Sequence, residues 1–187
     1  IAGTQVLKYS STQVPKNGED RAMKTLLVLR HAKSSWKDAD LDDHDRPLNK
    51  RGKKTAPLMG KLVKDEELVP DLMISSTALR AKTTAEAVAK GSKYSGNIQL
   101  DSRLYLAGIH AMVRLLQEIS SDEIARVMLV GHNPGMTSLA NAVGNDPVSN
   151  IPTSGIYCIH LEISSWEMIG DQSGKTNFFE YPKKYAP

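Results

Sequence analysis

The chain has 187 residues, 40% hydrophobic and 24% charged, and its net charge of +3 comes from 24 Lys and Arg against 21 Asp and Glu. That length suits one domain with a substantial core and is too short for a comfortable two. The near balance of charge and the lack of an aromatic-rich basic stripe argue against nucleic-acid binding; no apolar run approaches the ~20 residues of a membrane span.

Residues 1–22 are polar, carry Pro15, Asn17 and Gly18, and show no periodicity. They are expected to form a flexible N-terminal extension ahead of a single domain over residues 23–187. The chain does not begin with Met; the extension suits an organelle-targeting remnant, although it holds no apolar signal core. Cys158 is the only cysteine, which leaves no internal disulfide and no cysteine-based metal cluster. A reducing, cytoplasmic location is the expectation.

The apolar run 25–29 ends abruptly in Arg30 and His31 and reads as a buried strand. Residues 37–49 form an acidic loop, after which Asn49 caps a helix over about 50–67. Leu58, Met59, Leu62 and Val63 give that helix its apolar stripe, and Pro57 should kink it or mark a late start. Residues 71–75 read as a second strand. Ser76 or Thr77 caps a helix over 78–90, with Leu79, Ala85 and Val88 facing inward. A short strand at 98–100 and a helix at 109–118 follow. Residues 125–130 form a later strand, turned sharply by Gly131-His132-Asn133-Pro134-Gly135, and a helix over 136–143 stops at Gly144. Residues 155–163 read as a strand, and 166–169 and 178–181 as further short strands or an edge hairpin. This alternation predicts an α/β domain, a three-layer α/β/α sandwich with a mostly parallel central sheet. Such sheets bind ligands outside the carboxyl ends of their strands.

Three strands end in chemistry. Arg30 and His31 follow the first. Arg80 falls in the first turns of the helix after the second, where backbone N–H groups and the helix dipole favour an anion. His132 follows a third. A polar strand end is common; three that converge on one edge make a phosphate pocket. Arginine offers a planar fork matched to phosphate oxygens. One histidine can attack phosphorus and a second can donate to a phosphoryl oxygen.

These segments resemble the three motifs of the histidine phosphatase superfamily, the phosphoglycerate-mutase-like fold. Leu29-Arg30-His31-Ala32-Lys33-Ser34-Ser35-Trp36 is similar to its signature, with Ala32 in place of the usual glycine. Residues 75–85 resemble the second motif, Ser-Ser-Pro-x-x-Arg-Ala-x-Gln-Thr-Ala, and depart from it at Thr77 and Thr83. Val130-Gly131-His132-Asn133-Pro134 resembles the third, and Arg46-Pro47-Leu48 followed by Gly52 resembles the segment before the first helix.

The resemblance implies that His31 becomes a transient phosphohistidine while Arg30, Arg80 and His132 hold the phosphoryl oxygens. It also implies phosphate contacts from Ser34 and from the Asn133 backbone, and added attraction from Lys37. No metal and no other cofactor is implied, because cationic side chains fill the electrostatic role. Many members carry a glutamate that protonates an alkoxide leaving group. Here Tyr105 stands at about that place and no carboxylate is obvious. That departure, with the short chain, resembles the SixA-type protein histidine phosphatases. The implied reaction is hydrolysis of phosphohistidine on a partner protein of the histidine-containing phosphotransfer type. A phosphatase of small phosphoesters or of phospho-Ser/Thr is the rival, and would need an acid from the loop 38–45. A non-catalytic phosphoprotein-binding module is the rival of another class.

Other features read more plainly. Asp38, Asp40 and Asp42 hint at a calcium loop, but Asp43 sits where its glycine belongs and Asn49 where its glutamate belongs, which leaves a solvated acidic loop. His44 is expected to be exposed, His110 and His160 structural, Trp36 a pocket wall or core anchor, and Cys158 buried and inert.

Overall fold

Six strands form one sheet in the computed structural model, which describes residues 23–171 and 174–185. β1 (Lys24–Arg30) lies inside it, parallel to β4 (Arg126–Gly131) on one side and antiparallel to β5 (Ile156–Leu161) on the other. β4 pairs in parallel with β2 (Leu72–Ser75), and β2 with the edge strand β3 (Ile98–Leu100). β6 (Gly174–Glu180) runs antiparallel to β5 at the far edge. The order is β3-β2-β4-β1-β5-β6. The expected three-layer sandwich with a mostly parallel sheet is the observed fold.

Continuous apolar runs, rather than alternating ones, build the central strands because both sheet faces are covered. Leu26 and Val28 of β1 face one layer, where they join Met112, Leu115 and Leu116 of α3 (Ile109–Gln117) and Leu139 and Val143 of α4 (Gly135–Val143). Leu27 and Leu29 face the other, against Met59 and Val63 of α1 (Lys50–Asp65) and Ala85 and Val88 of α2 (Leu79–Ser92).

The Asn49 side chain caps α1 by accepting from the Gly52 amide at 2.9 Å. Pro57 lies inside α1 and neither starts nor ends it. The buried face of α1 is Gly52, Ala56, Met59, Gly60 and Val63, so Leu58 points to solvent rather than into the expected stripe. Leu79 is likewise exposed at the start of α2. No side chain caps α2, whose preceding residue is Ala78; Ser76 Oγ accepts from the Ala78 amide one step earlier at 3.3 Å. Residues 166–168 form a 3-10 turn, not a strand. Trp166 explains why: its ring is buried and its Nε1–H donates to the Ile124 carbonyl at 2.7 Å, which anchors a corner instead of extending a sheet. Cys158 is buried in β5. The extension expected over residues 1–22 lies outside the described residues. Among the described residues no helix is long and apolar enough to cross a membrane.

Candidate active site

Parallel register brings the two histidines together. Arg30 pairs with Gly131 across β1 and β4, and the His31 amide donates to the Gly131 carbonyl at 2.9 Å. His31 and His132 therefore leave adjacent strands side by side, with ring centroids 5.0 Å apart. Ser75 pairs with Val130, which carries the end of β2 and the start of α2, with Arg80, to the same edge.

The proton on each imidazole follows from its partners. His31 Nδ1 lies 2.8 Å from the Ala32 carbonyl oxygen. A carbonyl only accepts, so Nδ1 carries the proton and Nε2 keeps its lone pair. The Ala32 peptide is itself tied down, because its amide donates to Thr84 Oγ1 at 2.9 Å. Burial, opposed by the Ala32 hydrogen bond and reinforced by Arg80, Arg30 and Arg46, pushes the His31 pKa down to about 4. His31 is thus neutral at neutral pH.

His132 Nε2 lies 2.8 Å from Ser76 Oγ. That hydroxyl accepts the Ala78 amide, and donating its own proton to Nε2 completes a chain of three groups. The tautomer that uses the Ser76 hydroxyl proton carries the imidazole proton on Nδ1. Nδ1 of His132 and Nε of Arg30 are the two buried side-chain polar atoms with no partner among the described residues. Buried polar groups normally have partners, and both exceptions fall in this one site. Burial, helped by the charges of His31 and Arg80, pushes the His132 pKa down to about 3.

Arg30 is oriented from one side by the Ile151 carbonyl, 2.8 Å from its terminal nitrogen, and by Asn150 Oδ1 at 3.3 Å. The Asn133 side chain holds the same two acceptors at 2.8 and 3.1 Å. Arg80 and Arg46 both point at Asp43. Asp43 Oδ2 accepts from Arg80 at 2.7 Å and from the Tyr105 hydroxyl at 2.8 Å, while Oδ1 accepts from Arg46. Arg80 also donates to the Asp43 backbone carbonyl. Burial would raise the Asp43 pKa, but the hydrogen bonds from Tyr105, Arg80 and Arg46 outweigh it and hold the carboxyl at about 2. Arg46 further donates to Ser34 Oγ and to the Ser35 carbonyl, and its guanidinium carbon lies 3.2 Å from the Trp36 ring centroid. The 3-10 turn Asp43–Asp45 sets Asp43 in place, and His44 braces it through Thr77 Oγ1 at 3.0 Å and an edge-on contact with Tyr105.

These groups surround a cavity of about 160 Å³ lined by Arg30, His31, Ser34, Arg46, Arg80 and His132. Lys33, Trp36, Leu106 and Asn133 complete much of its rim. Arg30, His31, Arg80, His132, Ser34 and Asn133 are thus brought together as the sequence suggests. Lys37 is not: its side chain is exposed and absent from the lining, where Lys33 takes the cationic place. The sequence reading missed Arg46 as a site residue and Asp43 as its partner. Their signals were the resemblance of Arg46-Pro47-Leu48 to the family's segment before the first helix and the Asp-x-x-Arg spacing, which one turn of 3-10 helix converts into an ion pair. Among the described residues no group of three or more His, Cys, Asp or Glu is arranged to hold a metal ion.

The chain carries a three-layer α/β/α sandwich with two imidazoles and three guanidiniums gathered at one edge of its sheet, and comparison with known proteins agrees with that class. The family model of the histidine phosphatase superfamily (branch 1) matches residues 26–105. An uncharacterized protein of Mycobacterium leprae is 31% identical over 160 residues, spanning 75% of this chain and 96% of that one. A crystal structure described as the putative phosphohistidine phosphatase SixA from Agrobacterium tumefaciens is 30% identical, covers 85% of this chain and 98% of that chain, and superposes with a TM-score of 0.70. A structure of the protein histidine phosphatase SixA complexed with tungstate gives a TM-score of 0.75 at 21% identity, over 87% of this chain and 99% of that chain. This chain belongs to the histidine phosphatase superfamily, and within it to the SixA-type branch.

Proposed function

We propose that the chain is a phosphohistidine phosphatase that works through a covalent intermediate on His31, its domain spanning residues 23–187. The observation that carries this reading is the Nδ1–H bond to Ala32, which leaves a neutral Nε2 lone pair inside a cationic cavity. In the proposed reaction Nε2 attacks phosphorus in line and the bond from phosphorus to the substrate nitrogen breaks. Arg30, Arg80, Arg46 and the Nδ1–H of His132 hold the three phosphoryl oxygens as charge builds on them. Water then attacks the phosphohistidine and releases inorganic phosphate. The guanidiniums supply the positive charge that a metal ion supplies in other phosphoryl transfers, so chelation with EDTA is expected to leave the rate unchanged.

The choice of leaving group rests on Asp43. It is the carboxylate placed at the site, and with a pKa of about 2 it has no proton to give at neutral pH. Tyr105 donates to Asp43 rather than toward a substrate. An alkoxide leaves poorly without a proton, whereas an imidazole asks less of an acid. The substrate we infer is therefore a phosphoramidate carried on a phosphotransfer-type protein, met in the cytoplasm or inside an organelle.

The test is phosphate release from a phosphohistidine protein, phosphoramidate, p-nitrophenyl phosphate and an alkyl phosphate, with wild type and His31→Ala side by side. Turnover of phosphohistidine with little of the alkyl ester, lost in His31→Ala, is the expected result. Equal turnover of the alkyl ester would mean that an acid is present and would favour a small-ester phosphatase. Tight binding without turnover in wild type would leave a phosphoprotein-binding module.

A further inference from the structure

Two large apolar side chains on the cavity wall are left in water. Trp36 is 72% exposed and Leu106 is 59% exposed, and both line the cavity that holds His31. Trp36 stacks on the Arg46 guanidinium, so the charge that serves the pocket also fixes the ring at its mouth. Leu106 sits at φ 51°, in the left-handed region. A non-glycine residue holds that conformation against a steric clash of its Cβ, and such strain clusters at binding sites. Its neighbour Tyr105 is fastened to Asp43, and Leu104 is buried in the core. The backbone thus turns between 104 and 106 so that one leucine goes inward and the next is presented outward beside the pocket.

The cavity itself is small. About 160 Å³ is well under the ~300 Å³ at which sites begin to enclose a small ligand. It has room for a phosphoryl group and little else, so the rest of any substrate lies outside, against the rim. The rim offers an indole face and an isobutyl group there. A sugar phosphate presents several hydroxyls, for which the leucine offers no partner and the indole only its single N–H. A polypeptide around a phosphorylated side chain presents apolar groups, which both can cover, and its phosphate supplies the negative charge that the guanidiniums require.

We propose that Trp36 and Leu106 form an apolar docking rim for a phosphorylated protein segment, one that carries an apolar side chain next to the phosphorylated residue. The proposal rests on the phosphatase reading above and names what that site selects. Covering two such side chains is worth a tenfold or greater change in affinity.

The experiment compares kcat/KM on a phosphohistidine protein with kcat/KM on phosphoramidate, which is too small to reach the rim. The ratio of the two is expected to fall about tenfold in Trp36→Ala and in Leu106→Gly, and to recover in Trp36→Phe. Leu106→Gly suits the positive φ, so it removes the side chain without loading the fold, and it does not touch Arg46. Binding is read separately in His31→Ala: emission from the exposed Trp36 is expected to shift to shorter wavelength with the phosphohistidine protein and not with inorganic phosphate. An unchanged ratio in Leu106→Gly, or an emission shift equally large with phosphate alone, would overturn the docking rim. Loss of turnover on both substrates in wild type, with the emission shift intact, would instead sink the phosphatase reading and leave the rim standing.

Discussion

Ser76 does not itself line the cavity, yet through His132 it bears on which imidazole nitrogen carries the proton there. Its hydroxyl bridges the Ala78 amide and His132 Nε2. Without it, no hydrogen bond among the described residues favours Nδ1–H over Nε2–H. Ser76→Ala is therefore expected to move ¹⁵N chemical shifts of His132 from an Nδ1–H to a mixed pattern and to lower kcat on the order of tenfold, the worth of one buried hydrogen bond. Ser76→Thr, which keeps the hydroxyl, should restore both. An Nε2–H pattern in wild type would refute the assignment outright. Asp43 offers a second test at this scale. Its carboxylate sits on the guanidiniums of Arg80 and Arg46, where an incoming phosphoryl group must compete with it. Removing one negative charge from that cluster should tighten binding of inorganic phosphate, by about 1 kcal/mol or roughly fivefold given screening near the surface. Calorimetry on Asp43→Asn checks the sign: weaker binding would show that Asp43 serves chiefly to aim the arginines. Residues that follow a strand directly, such as His31 and His132, were legible because strand register fixes where they go. Asp43 and Arg46 were not, since a loop turn decides their place and the Asp-x-x-Arg spacing alone does not announce the turn.

The helices show what an apolar pattern leaves unsaid. α1 and α2 lie so close that a Cβ on Gly60 would strike the Val88 carbonyl, and one on Gly91 would come within 2.5 Å of the Pro57 carbonyl. That contact puts small residues, not the largest ones, at the centre of the buried face, which is why Leu58 and Leu79 point outward while Ala56, Gly60 and Ala85 face in. A stripe drawn through the biggest side chains misses this. Gly60→Ala forces the helices apart, and overpacking of that kind costs about 1–3 kcal/mol. The expected result is a lower Tm with weaker phosphate affinity, since α2 carries Arg80. An unchanged Tm would mean that the helix pair accommodates a methyl group at no cost. The order of elements was readable because strands and helices alternate in distinct periodicities. The 3-10 turn at Trp166–Met168 was not, because a segment of four residues is too short to show a period.

The same burial that makes the site reactive ties its chemistry to the stability of the whole molecule. His31 and His132 are neutral in the folded protein down to about pH 4 and 3, because burial and neighbouring cations oppose their protonation. In the unfolded chain each takes up its proton near pH 6.5. Below that pH the unfolded state binds more protons than the native state, so stability falls as the pH falls. The loss runs from about pH 6.5 to the folded values, at about 1.4 kcal/mol per pH unit for each histidine over that window. Asp43 acts in the same direction but lower, between the ordinary carboxyl range and about 2. Urea titrations from pH 7.5 to 4.5 should show this slope in the wild type. It should be markedly shallower in a His31→Asn, His132→Gln double variant, which keeps polar side chains but cannot titrate in that range. Inorganic phosphate should raise the stability of the wild type by mass action, and it should also raise the pKa of both imidazoles, since a bound anion offsets the cations that hold them down. If the wild type and the double variant lose stability in parallel on acidification, the two histidines are not what couples the pocket to the fold.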